Sequence, residues 1–262
     1  MTLTARLFGS SLRDVGRRRW LIVYLLFYAV LTDLLFRFGG SGPRAVLSLT
    51  NVVLGLVPLV GLLFGAIYVY QSREFIEMML AQPVHRRSLF VGLYGGVAVP
   101  LAGSFVLGVG APFLWNDGFV DGGRAIVLLL ISGATLSVIF SGLGFLIALR
   151  FDDRASGLGV TIVSWLAATV LYDGLVLLTV TVLQDYPIEQ PLIGAMLVNP
   201  VDLARVLLLL QLDMGALAGY TGAVFERFFG TAQGSVWSGT ALAAWAIVPF
   251  LVAMRRFAAR DF

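Results

Sequence analysis

The acidic residues Asp33 and Asp173 stand in long apolar runs, where an ionisable side chain could serve chemistry. Hydrolysis inside a membrane requires facing aspartates, a nucleophile with a base, or a bound metal. Neither aspartate belongs to a catalytic motif, and the chain contains no HExxH sequence and no GxxxxGK[ST] phosphate-binding loop. Because a charge near the membrane boundary costs little, we interpret both as end markers or interhelical hydrogen-bond partners. A role in a substrate path is the alternative.

Metal and redox chemistry find no support in the composition. The chain has no cysteine and a single histidine, His85, within a basic segment. Thiolate ligands are therefore excluded, and one histidine makes no cluster. We predict no catalytic residue, no metal ligand and no cofactor bound by this chain.

The elements that carry these residues are membrane helices. Apolar residues make up 59% of the 262 positions, charged residues only 13%, and the mean hydropathy is +0.93. Soluble domains are about 25% charged. We predict an all-α polytopic membrane protein, with residues 1–262 as one transmembrane domain. A spanning helix needs about 20 apolar residues, and the predicted spans are 20–36, 46–70, 89–114, 125–149, 157–183 and 235–254.

The arginines predict the orientation of these spans. All eighteen basic residues are arginine, and with the N-terminus inside, thirteen fall on the cytoplasmic side and five outside. Because basic residues favour the cytoplasmic side, we predict an inner-membrane protein with both termini in the cytoplasm. The basic, amphipathic segment 1–19 predicts an elbow helix that lies on the membrane.

The polar segment 71–87, QSREFIEMMLAQPVHRR, separates the second and third spans. If a helix begins at Ser72, whose hydroxyl can cap it, helical spacing predicts one shared face and Pro83 predicts the end of the helix. That face comprises Phe75, Met78, Met79 and Gln82. The segment is therefore predicted to receive force from a soluble partner.

A second polar region, 184–234, lies between the fifth and sixth spans on the predicted outer side. In NPVDLARVLLLLQL, Asn199 is suited to cap a helix, Pro200 to its first position and Asp202 to its positive end. The apolar core of this segment is too short to span, so we predict a re-entrant or interfacial helix. A second short outer helix is predicted within 213–230.

With these features the chain resembles, over nearly its whole length, permeases of the type-2 ABC exporter family. The segment REFIEMMLAQPVHRR is similar to the coupling helix of that family, with Glu74 and Glu77 as its acidic residues. The resemblance implies a homodimeric permease driven by a separate cytoplasmic ABC ATPase that binds ATP and Mg²⁺. It implies that the ATPase contacts Arg73, Glu74, Phe75, Glu77, Met78, Met79 and Pro83.

A narrower resemblance connects NPVDLAR and LAGYTGAVFERFFG with the outer segments of family members encoded with nitrous oxide reductase. It implies work with an ATPase and a periplasmic protein in maturing the copper centre of the reductase, by transmitting movement or passing a sulfur species outward. The residues assigned to an outer partner or exit gate are Asn199, Pro200, Asp202, Arg205, Tyr220 and Phe225.

Other functions remain open from the sequence. Six spans and a coupling segment do not encode the cargo, so export of another small molecule, a drug or a lipid is an alternative. An intramembrane lipid-modifying enzyme and a scaffold without an ATPase are alternatives from other classes. An adjacent gene for a phosphate-loop ATPase would favour the transporter.

Overall fold

The computed structural model describes residues 19–39, 42–116, 118–183, 189–211 and 232–260. The predicted elbow helix, except for its last residue, and the predicted second outer helix with Tyr220 and Phe225 lie outside these ranges. Within them the structure is helical and contains no strand, which confirms the all-α fold class.

Ten α-helices follow one another along the described chain. They are α1 (Arg19–Gly39), α2 (Gly42–Gln71), α3 (Arg73–Leu80), α4 (Arg86–Trp115), α5 (Gly118–Ala148), α6 (Arg154–Leu166), α7 (Tyr172–Val182), α8 (Glu189–Val198), α9 (Pro200–Gln211) and α10 (Ala232–Ala259). A π-helical segment, Ala167–Leu171, joins α6 to α7, so that the two helices form one continuous span.

Six of these elements are long and apolar enough to cross a membrane, and they coincide with the six predicted spans. Most of the helices extend past the predicted ends: the first continues to Gly39 instead of Phe36, and the third begins at Arg86 instead of Leu89. The fourth and fifth spans instead end one residue before their predicted ends, at Ala148 and Val182. Hydropathy marks only the apolar centre of a span. The backbone must also remain paired where polar residues cross the membrane boundary, and so the helix continues there.

Helices α8 and α9 form a bent pair at the predicted outer face, with an angle of 115° between them. This is the geometry of either a broken span or a re-entrant loop, so the re-entrant or interfacial helix expected at 199–212 stays a prediction. Helix α8 was not predicted from the sequence, because its ten residues carry no capping motif comparable to that of α9.

Helices α2 and α5 form the centre of the molecule, packing against each other more extensively than any other described pair. Glycines allow this close approach: a Cβ at Gly65 would lie 2.5 Å from the carbonyl oxygen of Ser141, and a Cβ at Gly144 would meet the carbonyl oxygen of Leu62. In lipid, close packing replaces the hydrophobic effect in holding helices together. Gly65 and Gly144 therefore allow these two spans to pack closely.

Gly65→Ala is therefore expected to destabilise the folded chain by about 1–3 kcal/mol, the usual cost of overpacking. The added methyl group meets backbone of α5, which cannot move aside as a flexible side chain would. Thermal unfolding in detergent, followed by tryptophan fluorescence, measures the effect. Gly103→Ala is the matched control, because a Cβ there has no neighbour within 4 Å among the described residues; equal losses for the two variants would contradict the packing argument.

Candidate functional site

The segment predicted to receive force contains α3, a helix of eight residues that follows α2 after one residue. Ser72 does not cap it through its side chain, contrary to the prediction. The Ser72 N–H instead donates to the Tyr68 carbonyl at 3.0 Å and its carbonyl accepts from Ile76 N–H at 2.9 Å. The backbone thus passes almost directly from one helix into the next, and so the hydroxyl is not needed to cap α3.

The side of α3 that faces the membrane domain is held by Ile76, which is 1% exposed. Phe75 and Met79 are partly buried against the same core, while Met78 is 57% exposed. The helix ends at Leu80, so Gln82 lies beyond it and is not part of a helical face. The prediction that Gln82 shares a helical face with Phe75, Met78 and Met79 is therefore wrong.

The outward side of α3 is formed by Met78 between two exposed acidic residues, Glu74 and Glu77. Pro83 is exposed in the turn that follows. An apolar side chain within a polar rim is the usual anatomy of a protein contact. Contact of these residues with an ATPase stays a prediction.

Arg73 is directed toward its own chain. Its guanidinium donates to the Phe151 carbonyl at 3.3 Å and lies 3.7 Å from the Asp152 carboxylate and 5.1 Å from the centre of the Tyr70 ring. The Tyr70 hydroxyl donates to the same Phe151 carbonyl at 3.0 Å. Asp152 is largely exposed, so its ion pair contributes little. The shared carbonyl therefore makes the firmer connection between α3 and the loop that joins α5 to α6.

Two more arginines extend this connection to α4 and α10. Arg260, just after α10, donates to the Leu149 carbonyl at 2.7 Å and pairs with Asp152. Arg86, the first residue of α4, donates to the carbonyls of Ala258 at 3.1 Å and Arg260 at 2.7 Å. We call Arg73, Arg86, Arg260, Phe151 and Asp152 the arginine network. It connects α3 with the adjacent ends of α4, α5, α6 and α10.

Asp153 fixes the start of α6 beside this network. Its carboxylate accepts from the Ser156 backbone N–H at 2.8 Å and from the Ser156 hydroxyl at 2.7 Å. These bonds, that of the hydroxyl foremost, hold the pKa of the Asp153 carboxyl below its usual range. The folded state is thus favoured above the ordinary pKa, and this contribution is lost only as the pH falls through the lowered value.

At the predicted outer face, Asn199 stands at the bend between α8 and α9. Its Oδ1 accepts from the Val201 N–H at 3.0 Å and Pro200 takes the first helical position, as predicted. Its Nδ2 donates to the Ala168 carbonyl at 2.7 Å, within the π-helical segment. A π-helical turn breaks the regular hydrogen-bond pattern and is common at functional sites. Asn199 therefore both starts α9 and attaches the bend to the fifth span.

Asp173, Asp202 and Arg205 converge beside Asn199. The Arg205 guanidinium lies 2.7 Å from the Asp173 carboxylate and 3.0 Å from that of Asp202. Asp202 is almost completely buried, and its carboxylate also accepts from Asn199 Nδ2 at 3.1 Å. We call these four residues the outer cluster. Asp173 thus makes an interhelical contact, as interpreted from the sequence, and its alternative role in a substrate path stays a prediction. The assignment of Asp202 and Arg205 to an outer partner or exit gate also stays a prediction; within the described chain they pair with each other and with the fifth span.

Aromatic side chains hold α8 in the same place. The Tyr172 hydroxyl donates to the Ala195 carbonyl at 2.6 Å, and Trp245 Nε1 of α10 donates to the Leu197 carbonyl at 3.3 Å. Neither residue was predicted from the sequence. For Tyr172, its position beside Asp173 was a usable signal, since polar groups in apolar segments form hydrogen bonds with partners on other helices.

Asp33 lies apart from both groups. Its carboxylate pairs with Arg37 at 2.7 Å, one turn along α1, and accepts from Trp115 Nε1 at 3.3 Å and Asn116 Nδ2 at 3.4 Å. These bonds join the ends of α1 and α4, which confirms the interhelical interpretation. The alternative role of Asp33 in a substrate path stays a prediction.

Similarity to a known protein extends over almost the whole chain. No family profile matches the chain. A curated protein of Pseudomonas aeruginosa, described as "Probable ABC transporter permease protein NosY", is 28% identical over 255 aligned residues, which cover 90% of this chain and 91% of that protein. The resemblance that the sequence predicted is therefore confirmed: along almost its whole length, this inner-membrane chain is similar to an ABC transporter permease of the NosY kind.

Proposed function

We propose that the chain is the permease subunit of an ABC transporter and that a separate cytoplasmic ATPase drives it through α3. The observation that carries the proposal is the two-sided character of α3. Met78, Glu74 and Glu77 are exposed on its outward side, while Arg73 and Ile76 fix its inward side to the membrane domain. A helix built in this way can accept a partner and pass on its displacement.

The arginine network supplies the mechanical path. When two ATPase subunits close around ATP, α3 moves with the surface that holds it, and Arg73 carries the loop at Phe151 with it. Arg260 and Arg86 transmit the same displacement to α10 and α4. The spans then move as rigid bodies between two arrangements, as is usual for packed helices. ATP and Mg²⁺ are bound by the partner, and this chain is not itself catalytic.

On the outer side, we propose that the bent pair α8–α9 transmits the movement of the spans. The outer cluster attaches this pair to the fifth span, so a movement of that span displaces α9 and the segment that follows it. The resemblance to permeases encoded with nitrous oxide reductase supports a role in maturing the copper centre of that reductase. A periplasmic partner would then receive movement or a sulfur species there.

Homodimer formation is part of the proposal. Only 6% of the most apolar stretch of the fifth span is buried inside the chain, compared with 56% of the corresponding stretch of the second span. Its exposed residues include Ile162, Val163, Leu175 and Leu178. A span with so few internal contacts has a face available for a second copy of the chain.

Met78→Arg is expected to reduce co-purification of the ATPase at least tenfold, which corresponds to roughly 1.4 kcal/mol for a central contact residue. The positive charge replaces the exposed apolar side chain at the centre of the outward side. Glu77→Arg is expected to act in the same direction. The measurement is the amount of ATPase retained by the tagged permease, together with its ATP hydrolysis rate.

Gln82→Arg serves as the matched control because it adds the same charge just beyond the end of α3. Little change is expected for it, provided that all variants keep the wild-type melting temperature. If Met78→Arg and Glu77→Arg retain full co-purification and stimulation, α3 does not receive the ATPase and the proposed coupling is wrong.

The assignment to nitrous oxide reductase has its own test. The chain and its ATPase, expressed in a strain without its own permease, are expected to restore assembly of the copper centre, read from the visible spectrum of the purified reductase. Restored ATPase coupling without restored copper-centre assembly would instead favour export of another small molecule, a drug or a lipid.

A further inference from the structure

A cavity of about 340 Å³ opens between the start of α1, the last turns of α2 and the start of α6, with Val97 of α4 also in its wall. It lies at the predicted cytoplasmic boundary, apart from the outer cluster. Its walls include Trp20, Leu63, Phe64, Ile67, Gln71 and Arg154. Pockets of this size hold a small ligand or part of a larger one.

The polarity of the walls changes along the depth of the cavity. Gln71 and Arg154 stand where their helices meet the boundary, and Trp20 stands at the start of the first span, a position that tryptophan favours at membrane interfaces. Leu63 lies about 12 Å deeper along α2, at 1.5 Å of rise per residue. A polar mouth above an apolar interior fits a molecule with a headgroup and a hydrocarbon chain.

The charge at the mouth favours a negative headgroup. No described residue forms an ion pair with Arg154. The Asp153 carboxylate keeps its negative charge but is bonded to Ser156, and Asp152 pairs with Arg73 and Arg260, so Arg154 and Arg19 leave the mouth with a net positive charge. Arg19 adds a second exposed cation at the start of α1. Basic side chains at this boundary attract anionic lipid headgroups.

We propose that this cavity binds one anionic phospholipid of the leaflet on the α3 side. The lipid phosphate accepts from the Arg154 guanidinium, and one acyl chain lies along Phe64 and Ile67. Such a lipid fills the space between the first, second and fifth spans, which must change their spacing when spans move as rigid bodies. The anionic lipid content of the membrane would thereby influence the motion of the permease. The proposal does not depend on the identity of the transported species.

The test uses the full chain, purified and exchanged into mixtures of phosphatidylglycerol and phosphatidylcholine with identical acyl chains. Native mass spectrometry counts the retained lipids. Wild type is expected to prefer phosphatidylglycerol roughly fivefold, the effect of one basic residue at an anionic surface. Arg154→Gln is expected to lose this preference and Arg154→Lys to keep it. Arg150→Gln is the control, because Arg150 is exposed beside the same boundary and does not line the cavity.

A second measurement is independent of Arg154. Because the chain has no cysteine, Ile67→Cys provides a single thiol inside the cavity. Its alkylation in bilayers is expected to be about fivefold slower with phosphatidylglycerol than with phosphatidylcholine. Equal alkylation rates, or a lipid preference unchanged by Arg154→Gln, would refute the lipid site. A disulfide-linked dimer of Ile67→Cys would show that a second copy covers the cavity and would equally overturn the proposal.

Discussion

Replacing Arg205 by glutamine is expected to destabilise the folded chain by about 3 kcal/mol, the lower end of the cost of removing one partner from a buried ion pair, because only Asp202 among the three charged side chains is fully buried. Arg205 neutralises both Asp173 and Asp202, at 2.7 and 3.0 Å. The Asp202 side chain is only 3% exposed and those of Arg205 and Asp173 about 30%, so water cannot replace the lost guanidinium at Asp202. Thermal unfolding in detergent measures the loss, and copper-centre assembly tests its consequence for the proposed function.

Arg37→Gln is the matched control for this substitution. Arg37 also pairs with an aspartate at 2.7 Å, but its side chain is 71% exposed, and an exposed pair contributes about 0–1 kcal/mol. The double variant Arg205→Gln, Asp202→Asn is expected to recover part of the stability, because it removes the stranded buried charge. If Arg205→Gln and Arg37→Gln were equally stable, the outer cluster would not hold α9 to the fifth span.

The positions of the spans were predictable because they depend on composition alone. Twenty consecutive apolar residues have few alternatives to a membrane helix, and the six predicted runs coincide with six helices. The start of α9 was also predictable, because the Asn199 cap and the position of Pro200 are local. What such signals cannot provide is the partner of a polar group on another helix.

The outer cluster illustrates this limit. Asp202 was interpreted as a residue that favours the positive end of its own helix, yet it lies with Asp173 of the fifth span on one guanidinium. The π-helical segment at Ala167–Leu171 has no residue pattern that distinguishes it from the α-helix around it. Tertiary contacts with Asn199 accompany it, and these cannot be read from local sequence.

Arg73 shows the same limit on the other face. The resemblance to the exporter family implied that Arg73 contacts the ATPase, and the sequence offered no reason to connect it with Phe151, 78 positions away. The partner is a backbone carbonyl, which every residue possesses. No residue type marks such a partner in advance, and so only the fold could reveal it.

Arg73→Gln is expected to separate binding from coupling. Because Arg73 faces the membrane domain and Met78 and Glu77 face outward, the variant should retain the ATPase within about twofold of wild type. Its permease-dependent activity is expected to fall about tenfold, equivalent to roughly 1.4 kcal/mol of lost coupling between the two parts. The measurements are co-purification, permease-stimulated ATP hydrolysis and copper-centre assembly, performed on the same preparation.

Arg87→Gln is the matched control, since Arg87 is an exposed arginine in the first turn of α4 and lies outside the arginine network. It removes the same charge and should leave both binding and coupling near wild type. Arg73→Lys tests geometry: a lysine keeps the charge beside Asp152 but cannot reproduce the planar contact with Tyr70 and the Phe151 carbonyl together, so partial coupling is expected. If Arg73→Gln instead lost the ATPase as Met78→Arg is expected to, Arg73 would belong to the docking surface. The path from α3 to the spans would then have to run through the buried Ile76 contact.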